Sequence, residues 1–60
     1  MKKVITIFME RDGMTYEEAK KEYETCRAEF LEAVDTGDIY LPEEVLMTYG
    51  LEPDYVFDFI

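Results

Sequence analysis

Sixty residues carry six basic and fifteen acidic side chains, a net charge of −9, with 48% apolar residues, no histidine and one cysteine. Such a chain is one domain at most, and at this size folding removes only ~60% of the extended surface from water, which leaves a narrow stability margin. The negative sign opposes nucleic-acid phosphates and anionic lipid headgroups, so neither direct nucleic-acid binding nor membrane association is expected, and the field instead steers the chain toward basic surfaces.

The first element is Lys2 to Asp12. Ile5, Ile7 and Met9 alternate as in a strand, whereas Val4, Ile5, Phe8 and Met9 stand at helical spacing. Gly13, just beyond, suits a left-handed helix terminus, and Met14 would cover it with an apolar contact. A helix is the preferred reading, with a strand as the alternative. The apolar run after Met1-Lys2-Lys3 ends at Met9, too short for a secretory signal or a membrane span.

The second element starts at a capping box, Thr15-Tyr16-Glu17-Glu18, in which the Thr15 hydroxyl and the Glu18 carboxylate satisfy each other's backbone N–H groups. Met14 can staple onto Ala19. A long helix then runs from about Tyr16 to Asp35, free of proline and glycine, and Gly37 stops it. Its apolar positions Tyr16, Ala19, Tyr23, Cys26, Phe30 and Ala33 are spaced alternately three and four apart, a heptad-like seam that Leu31 and Val34 widen near the end. Small chains offset a thin core by self-association. Tyr23, Cys26 and Phe30 are therefore the expected seam of a homodimer, with packing inside the chain's own domain as the alternative.

Beyond the turn Thr36-Gly37-Asp38, Pro42 suits the first position of a short helix, with Glu43 and Glu44 in its first turn. Val45, Leu46 and Tyr49 form its stripe, and Gly50 ends it. Pro53 opens a last short helix with Asp54 in the first turn and Tyr55, Val56, Phe59 and Ile60 as the buried face. The alternation Tyr55, Phe57, Phe59 keeps a terminal strand open. The expected fold is thus all-α, a small bundle of three to four short helices around one long helix, within a single domain from residue 1 to 60. An α+β fold with terminal strands is the alternative.

No constellation for catalysis stands out. Cys26 has no histidine partner and lies on the apolar seam, where a thiol is structural. A lone thiol without histidine cannot make a zinc site, and Asp35-Thr36-Gly37-Asp38 falls short of a calcium loop. No metal, cofactor or enzymatic activity is expected, and an unpaired cysteine fits a reducing, cytoplasmic compartment.

Charge is segregated along the chain. Residues 1–27 hold all six bases and six acids; residues 28–60 hold nine acids and no base. Five tyrosines are a surplus for so small a core, and tyrosine is enriched at protein interfaces. Tyr40 and Tyr49 lie among the acids of the second half. Tyr40, Glu43, Glu44, Tyr49, Glu52 and Asp54 are therefore the candidate contact with a protein partner that has a basic surface.

The run MERDGMTYEEA, the charged helix after it, then GD, PEE and the closing GLEPDY resemble very short acidic proteins encoded by bacteriophages and prophages. The likeness spans roughly Met9 to Ile60 and rests mainly on helix-boundary residues. It implies a protein that binds and blocks a host protein, including components of antiviral defence, by stoichiometric contact, and it carries over no catalytic residue. DNA mimicry, with the acids of the second half standing in for phosphates, is the competing expectation. A regulatory or structural accessory without inhibitory action is a third.

Overall fold

The computed structural model describes residues 2–59. They form α1 (Lys3–Asp12), α2 (Tyr16–Asp35), α3 (Leu41–Thr48) and a six-residue 3-10 helix (Pro53–Asp58), and no strand occurs among the described residues. The all-α expectation holds at both ends of the chain. Burial of Val4, Ile5 and Phe8 explains why α1 is a helix: positions i, i+1 and i+4 share one face only on a helical backbone. Gly13 ends it at φ 69°, in the left-handed region where its missing side chain avoids strain.

The capping box at α2 forms as its residues require. The Glu18 N–H donates to Thr15 Oγ1 at 3.2 Å, and the Thr15 N–H donates to Glu18 Oε1 at 2.9 Å. Two of the donors that a helix start leaves without partners are thereby satisfied. Met14 packs against the core cluster that contains Ala19.

Along α2 the seam is narrower than its spacing suggests. Ala19, Tyr23, Cys26, Phe30 and Ala33 are buried, but Tyr16 is 46% exposed, and Leu31 and Val34 are 40% and 50% exposed. Nothing packs over the first turn of α2 closely enough to cover Tyr16, and the two widening residues point off the stripe that α1, α3 and the C-terminal segment occupy. The homodimer seam expected at Tyr23, Cys26 and Phe30 falls on positions that are buried within the single chain. These three positions belong to the chain's own core, together with Val4, Phe8, Leu46 and Phe59, and leave little surface for a second copy.

Phe59 covers part of that face. Its ring stacks on Tyr23 with centroids 5.1 Å apart and tilts against Phe30 at 5.4 Å. Burying a side chain of this size stabilises by about 1.5–3 kcal/mol, a large share for a domain this small. The last element is a 3-10 helix rather than an α-helix, and only part of its expected face turns inward. Tyr55 and Val56 are half-buried and Phe57 is 77% exposed. Ile60, expected on the same face, lies outside the described residues.

α3 begins one residue earlier than Pro42 suggested, at Leu41. Its end is a Schellman closure: the Leu51 N–H donates to the Leu46 carbonyl at 2.9 Å and the Gly50 N–H to the Met47 carbonyl at 2.9 Å. Leu46 and Leu51, the apolar pair of that motif, are both buried. Gly50, at φ 72°, is also where Arg11 approaches: a Cβ there would stand 2.9 Å from Arg11 Nη1.

Two long-range polar contacts fasten α1 to the C-terminal third. At its start, where Lys2 provides no side-chain cap, the Val4 N–H donates to Asp58 Oδ2 at 2.9 Å. Tyr23 Oη donates to the Asp58 carbonyl at 2.9 Å, which holds the same residue from the side of α2. At the far end of α1, Arg11 donates to the Gly50 carbonyl at 2.7 Å and the Tyr49 carbonyl at 3.0 Å. A cation thereby meets the negative end of α3.

Candidate functional site at the corner between the second and third helices

The molecule measures 33 × 17 × 17 Å. A 20-residue helix such as α2 is ~30 Å long at 1.5 Å per residue, so α2 runs near the long axis and its C-terminal end lies at one end of the molecule. There the chain turns. The Thr36 hydroxyl donates to the Ala33 carbonyl at 2.7 Å, and Gly37 takes φ 82°. Asp38 Oδ1 then accepts the Tyr40 N–H at 2.8 Å, an Asx turn that sets the start of α3.

This corner leaves large apolar side chains in water. Ile39 is 76% exposed, Tyr40 67% and Val34 50%, with Leu31 one turn back along α2. The acids nearest to them in sequence, Glu32, Asp35, Asp38, Glu43 and Glu44, are all exposed, in a half of the chain that has no base. Clustered exposed apolar residues rimmed by charge mark interaction sites more often than singly scattered ones do.

The six residues expected to form one contact are distributed over three places. Tyr40, Glu43 and Glu44 are exposed together at the start of α3. Tyr49 is half-buried, with its ring 6.5 Å from Phe8, and burial followed by the neighbouring Glu29 pushes its hydroxyl well above the usual tyrosine range. It borders the core and has little left for a partner. Glu52 and Asp54 are exposed, but they line a groove open to solvent on the C-terminal segment, with Lys3, Tyr55, Phe57 and Asp58.

Ile39 and Val34 are absent from the sequence-based set. Spacing places Val34, with Leu31, in the widened end of the seam, and Ile39 lies inside a turn among polar residues. The usable signal was that the seam is complete without them: Ala33 already holds the position that α2 buries in its last turn.

Cys26 is fully buried, and its thiol is pushed up to about 11, first by burial and then by Glu29 and Glu22. A protonated, inaccessible thiol is a poor nucleophile. Arg11 and Asp12 form the ion pair at the edge of the fold, with Nε to Oδ1 at 2.9 Å and Nη2 to Oδ2 at 2.9 Å. Their mutual hydrogen bonds raise the guanidinium and lower the carboxyl relative to their ordinary values. Arg11 is thereby committed to Asp12 and to the Tyr49 and Gly50 carbonyls just beyond α3. Among the described residues no helix is long and apolar enough to cross a membrane.

No family model, no curated protein and no solved structure matches this chain.

Proposed function

We propose that this chain is a small acidic protein of the phage type that binds a host protein with a basic surface and inhibits it by stoichiometric contact in the bacterial cytoplasm. The target we put forward is an antiviral defence factor that handles nucleic acid, since such proteins expose basic surfaces. One observation carries the reading: Tyr40, Glu43 and Glu44 stand exposed together at the start of α3, beside an apolar cluster and within a half of the chain that has no base. Binding rather than catalysis is the proposed mode of action. The resemblance to short phage-encoded acidic proteins supports the choice of target.

An apolar centre separates this proposal from DNA mimicry. A mimic relies on rows of charge and loses affinity steeply as salt rises. A contact centred on Tyr40 retains much of its affinity, because apolar burial is not screened.

The test is affinity capture from a bacterial lysate with the wild-type chain and with the Glu43→Lys, Glu44→Lys double variant. The expected result is one protein held at fixed stoichiometry by the wild type, surviving moderate salt, and lost by the double variant. Equal capture by both forms overturns the acidic contact, and release by modest salt transfers the case to mimicry.

A further inference from the structure

We infer that the chain docks end-on and as a monomer, with Ile39, Tyr40 and Val34 as apolar anchors, onto a partner segment in which apolar side chains are flanked by lysine or arginine. The inference rests on the binding reading above and narrows it, because it moves the anchor to residues outside the original set and releases Tyr49, Glu52 and Asp54 from the contact.

Three observations lead to it. The first is position. The corner lies at one end of a molecule 33 Å long and 17 Å across, so a partner meeting Ile39 and Tyr40 sees the narrow end rather than a flank. The second is the way the corner is held. Its side-chain hydrogen bonds run between residues two or three apart, from Thr36 to Ala33, from Asp38 to Thr36 and from Tyr40 to Asp38. They fix the backbone while leaving the Ile39 and Tyr40 side chains uncommitted, and a side chain presented on a pre-set backbone loses less entropy on binding. The third is charge, which selects the occupant. Two copies meeting at this corner would bring Asp35, Asp38, Glu43 and Glu44 of each against their like, with no base between residues 28 and 60 to relieve them. Like-charge juxtaposition across an interface is costly, whereas lysine or arginine beside an apolar anchor satisfies both the rim and the centre.

The groove formed by Lys3, Glu52, Asp54, Tyr55, Phe57 and Asp58 is the competing surface. It is less suited to a basic partner. Lys3 brings a like charge into it, and the Asp58 carboxylate already accepts the Val4 N–H.

The experiment is a titration of the isotopically labelled chain, followed by amide chemical shifts. The probe is a synthetic amphipathic peptide with leucines on one face and lysines on the other, and the control is the same peptide with glutamate in place of lysine. Saturation at one peptide per chain is expected, with shifts confined to residues 31–44 and no response to the control. Changing Ile39→Ser and Tyr40→Ser together should weaken the lysine peptide by roughly tenfold or more, as for a buried aromatic anchor. Phe57→Ser, equally exposed but on the other surface, should stay within about twofold. Shifts centred on residues 52–58 overturn the end-on inference and leave the basic-partner reading standing. No response to the lysine peptide anywhere removes both. Corner shifts that grow with protein concentration alone assign the surface to a second copy and overturn the inference.

Discussion

The C-terminal segment and the α2–α3 corner are both short, irregular and aromatic, yet one is fastened and the other is not. Several hydrogen bonds at residues 49–59 reach far along the chain. Arg11 takes the carbonyls of Tyr49 and Gly50, Asp58 takes the Val4 N–H, and Tyr23 takes the Asp58 carbonyl. At the corner the side-chain hydrogen bonds stay within three residues. Long-range contacts hold elements together, while short ones only shape the backbone. The difference separates what holds the fold together from what only shapes a turn.

Phe59 and Ile39 sharpen that contrast most directly. Phe59→Ala should cost about 3–5 kcal/mol, the usual range for emptying a buried phenylalanine site. A 60-residue domain holds only about 3–9 kcal/mol in total, so urea unfolding followed by circular dichroism should find about a third or more of that stability gone. A Phe59→Ala variant that loses no more than about 0.5 kcal/mol, as for a surface change, would show that the C-terminal segment is not the cover assigned to it. Asp58→Ala comes next, with a loss of about 1 kcal/mol typical of a missing helix cap, and Asp58→Asn should restore most of it because an acceptor remains. Equal losses for both would mean that the Val4 hydrogen bond contributes little. The smallest effect belongs to the corner. Ile39→Ser should move the unfolding midpoint by no more than about 0.5 kcal/mol, as for other surface changes, and a larger loss would place Ile39 in the core and dissolve the contrast.

The fastened region and the free one were unequally legible. Boundaries written in neighbouring residues could be read directly: the capping box at Thr15 and Glu18, the left-handed turn at Gly13, the stop at Gly50 and the proline start at Pro53. Each is decided within a few residues, so local chemistry suffices. The fastenings could not be read, because an arginine or aspartate carries no mark of a partner 39 or 54 positions away. The same limit explains the seam. Spacing places Tyr23, Cys26 and Phe30 on one face of α2, but whether α1 and Phe59 or another molecule covers that face depends on tertiary packing. It also explains why Tyr40 and Tyr49 looked equivalent. One follows a turn at the end of the molecule and the other sits beside Phe8, a difference of place rather than of type.

The Asp58 contact has a consequence for the order of events when the chain is made. At synthesis rates of about 5–20 residues per second, the 54 positions separating Asp58 from Val4 take roughly 3–11 seconds. Throughout that interval the first turn of α1 lacks its acceptor, although α1 leaves the ribosome before α2. α2 carries its own cap at Thr15 and Glu18 and has no such wait. The nascent chain should therefore gain α2 before α1 is secured, and this part of the fold closes only when Asp58 arrives.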